Sequence, residues 1–166
     1  NAEEMADHGT NFKTRMDLMR ERIEAMKIIW TEDKASFNGK FVDFPEMITN
    51  PKPFQKPYPP VLMGGAFPHG GRRAIEYCDG WLPHATRPEY GDLMHKLPEF
   101  KKMCNESGRD PDTVPITVYG VADDPDLLLR YRDVGVKRVV FALPSEDGGR
   151  LIPVLDRYAK YNDLVK

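Results

Sequence analysis

The stretch PPVLMGGAFPHGGRRAIEYCDGWLP, residues 59–83, decides how this sequence is read. It opens with a short apolar run, breaks at Gly64 and Gly65, passes through a helix-forming segment and returns to the apolar pair Trp81 and Leu82. A short apolar run bounded by turn residues fits a strand buried on both faces, and such strands belong to parallel sheets whose crossovers are helices. A strand ending in two glycines lets a backbone approach a ligand closely. The helix that follows offers unpaired N–H groups and its positive dipole end to an anion. Gly64, Gly65 and Ala66 are candidates to donate N–H groups to a phosphate, with Gly70 and Gly71 keeping the helix entry free of side-chain bulk. Arg72 and Arg73 either add charge there or point to solvent. A glycine pair after a strand is also ordinary turn chemistry, so both readings stand at this point.

Downstream of this stretch, strand and helix continue to alternate. Apolar runs at residues 61–63, 81–82, 116–121 and 138–143 predict strands. Between and after them, helices are expected near residues 72–78, from about Glu89 to Glu106, from Asp124 as N-cap with Pro125 in the first turn to Gly135, and around residues 151–161. Pro98 falls inside the Glu89 helix, where an interior proline costs about 3 kcal/mol, so two shorter helices are an alternative there. Four βα units give an α/β fold with a parallel sheet, and four such units are half of an eight-stranded barrel.

Upstream, residues 12–30 place Met16, Met19, Ile23, Met26 and Trp30 at alternating steps of three and four, one face of an amphipathic helix. Its Met-rich stripe reads as core packing. In ASFNGKFVDF, residues 35–44, Asn38 and Gly39 stand between two runs rich in aromatic and β-branched residues, which predicts a hairpin. Pro51, Pro53, Pro57, Pro59 and Pro60 then exclude helix and central strand, so this segment is expected to be an extended connector near the surface. Asn1 is not an initiator methionine, and the chain is expected to be a processed product or a fragment.

With 166 residues and 40% hydrophobic composition the chain supports one domain with a sizeable core. Its 24 basic and 26 acidic residues give a formal charge of -2, which provides no field for nucleic acid or anionic lipid. Cys78 and Cys104 lack metal-ligand spacing and read as core residues of a cytoplasmic protein. No stretch approaches the ~18 apolar residues of a membrane span, and no signal peptide is seen.

Taken in order, RMDLMRERIEAMKIIWTED, SFNGKFVDF, NPKPFQKPYPPVLMGG, AIEYCDGWLP and SGRDPDTV resemble the luciferase-like monooxygenase family of flavin- and F420-dependent enzymes. The resemblance runs from about Phe12 to Leu143 and is nearest to the branch assigned to the deazaflavin coenzyme F420. It implies a (β/α)₈ barrel with insertions, in which the four strands here correspond to the fifth to eighth, the N-terminal half being absent. It implies F420, or FMN as the alternative, with the cofactor's phosphate end near Gly64, Gly65, Ala66 and Phe67 and the start of the following helix at Gly70. The reaction implied is hydride transfer, or a reduced-flavin step with oxygen, on a small organic substrate. Much of the ring pocket in this family comes from the first four strands, so no catalytic residue is assigned in this chain.

Within this frame, Trp81 is either core filling or a ligand contact. His84 follows the Trp81 strand at the end where barrels place their chemistry, and is the best polar candidate for a cofactor or substrate contact. His69 is a second candidate. Asp123 and Asp124 read first as a helix cap, and Ser145, Glu146, Gly148, Gly149 and Arg150 form a secondary phosphate candidate. Exposed sheet edges predict pairing with another copy or with an N-terminal half. Two rival readings are a non-catalytic phosphate-binding or assembly module and an unrelated phosphate-binding barrel. Replacing Gly65 by Val is expected to abolish phosphate docking with the fold largely intact.

Overall fold

The computed structural model describes residues 1–87 and 91–164, and the chain divides into two compact units, Asn1–Pro59 and Pro60–Lys166. The first holds α1 (Ala2–Asp7), α2 (Arg15–Thr31), β1 (Ala35–Asn38) and β2 (Asp43–Met47). Helix α2 starts at Arg15 rather than at Phe12, because Asn11 Oδ1 accepts the Lys13 N–H at 2.9 Å and holds the preceding backbone in a turn. The Met-rich stripe is only partly core within this unit. Ile23 and Ala25 are buried, but Met26 is 38% exposed, and Met5, Met16, Met19 and Met26 line an open cavity of about 520 Å³.

The hairpin forms where Asn38 and Gly39 predict it, with Phe37 opposite Phe44 and Asn38 opposite Asp43. The turn is longer than the two-residue Asn-Gly type. Gly39 N–H donates to Val42 O at 2.8 Å, and the loop wraps the Glu21 carboxylate, which accepts from the N–H groups of Lys40 at 3.1 Å, Phe41 at 2.7 Å and Val42 at 2.9 Å. Burial pushes the Glu21 carboxyl up, but the three amide donors and the Lys40 charge outweigh it and hold it below its ordinary value. The proline-rich connector holds neither helix nor strand, as predicted. Lys52 Nζ donates to Ile29 O at 2.8 Å and Glu32 O at 2.5 Å, carbonyls that the end of α2 leaves without helical partners.

The second unit alternates β3 (Leu62–Gly64), α3 (His69–Tyr77), β4 (Gly80–Leu82), α4 (Leu93–Glu106), β5 (Thr117–Tyr119), α5 (Pro125–Asp133), β6 (Arg138–Val140) and α6 (Gly148–Lys160). Strands β3 and β4 are parallel, with Met63 opposite Trp81, and β5 and β6 are parallel, with Val118 opposite Val139. Parallel bridges from Trp81 to Ile116 and from His84 to Tyr119 join the two pairs. The strands therefore neighbour one another in chain order. With right-handed crossovers, that order puts every connecting helix on one face, as in a barrel wall, whereas a doubly wound sheet reverses its order. Trp81, Leu97, Phe100, Val114 and Val118 fill the core, and Cys78 and Cys104 are free thiols buried among them, as expected.

Several boundaries differ from expectation. Helix α3 starts at His69 rather than Arg72 and takes Gly70 and Gly71 into its first turn, with Gly70 N–H donating to Ala66 O at 2.7 Å. Helix α4 runs unbroken through Pro98. Its buried residues Leu93, Leu97, Phe100 and Cys104 anchor it on both sides of the proline, and Pro98 itself is exposed. The expected helix start at Glu89 lies outside the described residues. Asp124 caps α5 with Pro125 at its first position, as predicted, and the helix ends at Asp133. Helix α6 begins earlier than Leu151 because Asp147 caps it, accepting the Arg150 N–H at 3.2 Å. The last strand stops at Val140, since β5 offers it three paired residues. Among the described residues no helix is long and apolar enough to cross a membrane.

Candidate functional site

The site is built on the turn from β3 into α3. Gly65 sits at φ +119°, a conformation that L side chains rarely adopt, so the second glycine of the pair is required by the backbone. A Cβ at Gly70 would lie 2.6 Å from the Gly65 carbonyl carbon, so Gly70 is required by the close approach of the two chain segments. A Cβ on Gly71 would lie 3.0 Å from Phe100 Cδ2, whereas Gly64 is exposed with open space around it. A Gly65→Val chain thus carries backbone strain as well as bulk, and the expectation that its fold stays largely intact is withdrawn.

The Gly65 carbonyl accepts the Trp81 indole N–H at 3.0 Å. Trp81 is fully buried, with ring centroids 4.7 Å from Phe100 and 6.0 Å from Phe67. Of its two readings, core filling holds within this chain, and its indole does a further job that composition and spacing do not reveal. Among the described residues the N–H groups of Ala66, Phe67 and His69 find no acceptor, so the turn presents a cluster of free amide donors where the positive end of α3 begins. Phe67 is half-buried beneath Lys96, whose Nζ lies 5.9 Å from the ring centroid.

His84 stands at the same end of the sheet. Gly64 pairs with Leu82, and His84 follows two residues later. Its ring meets Tyr119 edge-on with centroids 5.0 Å apart, and Nδ1 accepts the Thr86 N–H at 3.2 Å. In the neutral ring the proton therefore sits on Nε2. Gly120, at φ +72°, makes room for the ring, since a Cβ there would lie 2.8 Å from His84 Cε1. Thr86, Tyr119 and Gly120 escaped the sequence reading. The one available signal was a glycine directly after the β5 run.

The remaining candidate side chains are exposed or engaged elsewhere. His69 is exposed at the first position of α3, and Arg72 is exposed. Asp124 is spent on its cap, with Oδ1 accepting from the Asp126 N–H at 3.0 Å. Asp123 accepts from the Tyr161 hydroxyl and pairs with Arg157 at 2.6 Å, and this bond to a carboxylate raises the Tyr161 phenol above its ordinary value. Around Ser145, Gly148 and Gly149, Asp147 already caps the helix and Glu146 holds Arg150 at 3.3 Å. That segment carries its own anions, whereas the glycine-pair turn does not.

The sequence profile of the luciferase-like monooxygenase family matches residues 1–141, and the chain belongs to that family. It is 33% identical over 162 residues to an uncharacterised protein of Mycobacterium tuberculosis, covering 96% of this chain and 55% of that protein. A shorter match, 46% identical over 46 residues, is to an FMNH₂-dependent dimethylsulfone monooxygenase of Pseudomonas putida, covering 28% of this chain and 13% of that enzyme. Among solved structures, an F420-dependent secondary alcohol dehydrogenase in complex with an F420-acetone adduct superposes with a TM-score of 0.51 at 19% identity, over 90% of this chain and 54% of that one. This last likeness shows the fold. The chain spans about half the length of that mycobacterial protein. Relatives in the family use F420 or FMN, and they include dehydrogenases and monooxygenases.

Proposed function

We propose that this chain forms the C-terminal part of a luciferase-like (β/α)₈ barrel, about four βα units, and holds the phosphate end of F420, or of FMN as the alternative. The observation that carries the reading is the cluster of free N–H groups on Ala66, Phe67 and His69, set by Gly65 and Gly70 at the end of β3. An anion suits this turn on three counts: three amide donors within four residues lack an acceptor, no carboxylate of the chain fills it among the described residues, and Gly64 has open space around it. Gly64 lets the ligand approach, and His84 stands at the same end of the sheet as a further candidate cofactor contact. When bound, the cofactor supplies the hydride or reduced-flavin chemistry of an oxidoreductase acting on a small organic substrate. The chain's own residues bind and orient it.

Exposed Leu143, Ile152 and Leu155, beside and on α6, support association with a second copy or with a further N-terminal segment. The test is a fluorescence titration of the chain with F420 and with FMN, each competed by inorganic phosphate, with the oligomeric state measured in the same buffer. Saturable binding of one cofactor, weakened by phosphate, is expected. Absence of binding by both, in a folded sample, overturns the phosphate site.

A further inference from the structure

We infer that Trp81 is a positioning residue for the glycine-pair turn: its indole N–H fixes the direction of the Gly65–Ala66 peptide and thereby aims the Ala66 N–H outward. This rests on the phosphate site proposed above for its use, but its geometry stands without it. A glycine peptide is free to flip, because glycine populates both signs of φ at little cost. Here one face of that peptide is committed. The Gly65 carbonyl accepts from Trp81 Nε1 at 3.0 Å, and Trp81 is wholly buried against Phe100 and Phe67.

In a trans peptide the carbonyl and the following N–H point in opposite directions. With the carbonyl drawn toward the buried indole, the Ala66 N–H points away from the core, and no acceptor among the described residues takes it. Gly70 closes the arrangement from the other side, since any Cβ there would strike the Gly65 carbonyl group. His69 is the first residue of α3, so its N–H is one of the donors that any helix start leaves without an intrahelical partner. One buried donor thus sets the direction of the Ala66 amide, beside the donors that the start of α3 supplies by itself.

The experiment compares the full chain with two variants, Trp81→Phe and replacement of Trp81 by benzothienylalanine, which keeps the indole outline and lacks the N–H. Nuclear magnetic resonance on the wild-type chain should show a through-hydrogen-bond coupling between Trp81 Nε1 and the Gly65 carbonyl carbon. In the benzothienylalanine chain the Ala66 amide resonance should move while the core resonances of Phe100 and Leu97 hold. Affinity for F420 or FMN should fall about tenfold, the loss of roughly one hydrogen bond's worth of preorganisation. Absence of the coupling in the wild-type chain overturns the inference. So does an Ala66 amide, or a cofactor affinity, unchanged in a folded benzothienylalanine chain. If the wild-type chain binds neither cofactor nor inorganic phosphate, the phosphate site fails, and the coupling and the Ala66 amide still decide the role of Trp81.

Discussion

The loop at residues 39–42 and the turn at residues 64–69 are both backbone cradles that gather N–H groups beside a glycine, and they differ in what lies inside. In the first, the Glu21 carboxylate accepts from Lys40, Phe41 and Val42, so the cradle holds an anion that the chain supplies. In the second, the amides of Ala66, Phe67 and His69 meet no acceptor among the described residues. Neighbouring amides without an acceptor are costly when buried and useful when a ligand brings the charge. The filled cradle is structural, and the open one is where the proposed phosphate site lies.

The largest expected effect tests the support of the open cradle. Phe100 is fully buried against Trp81 and under Gly71, so Phe100→Ala should cost about 3–5 kcal/mol in denaturant unfolding. A loss below about 1 kcal/mol would mean that the aromatic floor of the turn is not what holds it. Next comes the turn itself. Gly70→Ala sets a Cβ against the backbone of Gly65 and should cost about 1–3 kcal/mol while removing F420 or FMN binding. A Gly70→Ala chain that binds as well as wild type would make the open cradle an ordinary turn.

A third experiment addresses the filled cradle through pH. Glu21 holds its proton less tightly folded than unfolded, so its contribution to stability is present above the ordinary value of 4.5 and fades as pH falls through the lower folded value. Stability of wild type should therefore drop on acidification through that window, and Glu21→Gln should flatten the drop while lowering stability at neutral pH. An identical acid profile in both chains would sever Glu21 from the loop. The smallest effect is a control that touches neither cradle: Asp124→Ala removes the α5 cap and should cost about 1 kcal/mol in thermal unfolding with cofactor affinity unchanged.

How much of this was legible beforehand follows from the range of each interaction. The order of strands and helices, the Asp124 and Pro125 start of α5, and the hairpin at Asn38 and Gly39 are carried by neighbouring residues. The methionine stripe of α2 was legible as a helix face, though Met26 stays exposed within its unit. Helix α4 was harder, because Pro98 signals a break that the burial of Leu97 and Phe100 overrides. At the candidate site, Gly64, Gly65 and Gly70 were legible as turn residues and His84 as the polar residue at a strand end. The partners of His84, Thr86, Tyr119 and Gly120, come from the β4 exit and β5, and the glycine after the β5 run was the one local sign of them.

By itself the sequence determined the alternation of β and α, the caps, the buried free cysteines and the place of the glycine pair at the end of a strand. These depend on propensity and periodicity over a few residues. Only the tertiary structure decided that Trp81 meets the Gly65 carbonyl across 16 positions, that Glu21 fills the hairpin loop across 20, and that Tyr161 reaches Asp123 across 38. Such pairings are set by the crossovers and by the shape of the packed core, so the same residue types in the same order become a filled cradle in one place and an open one in another.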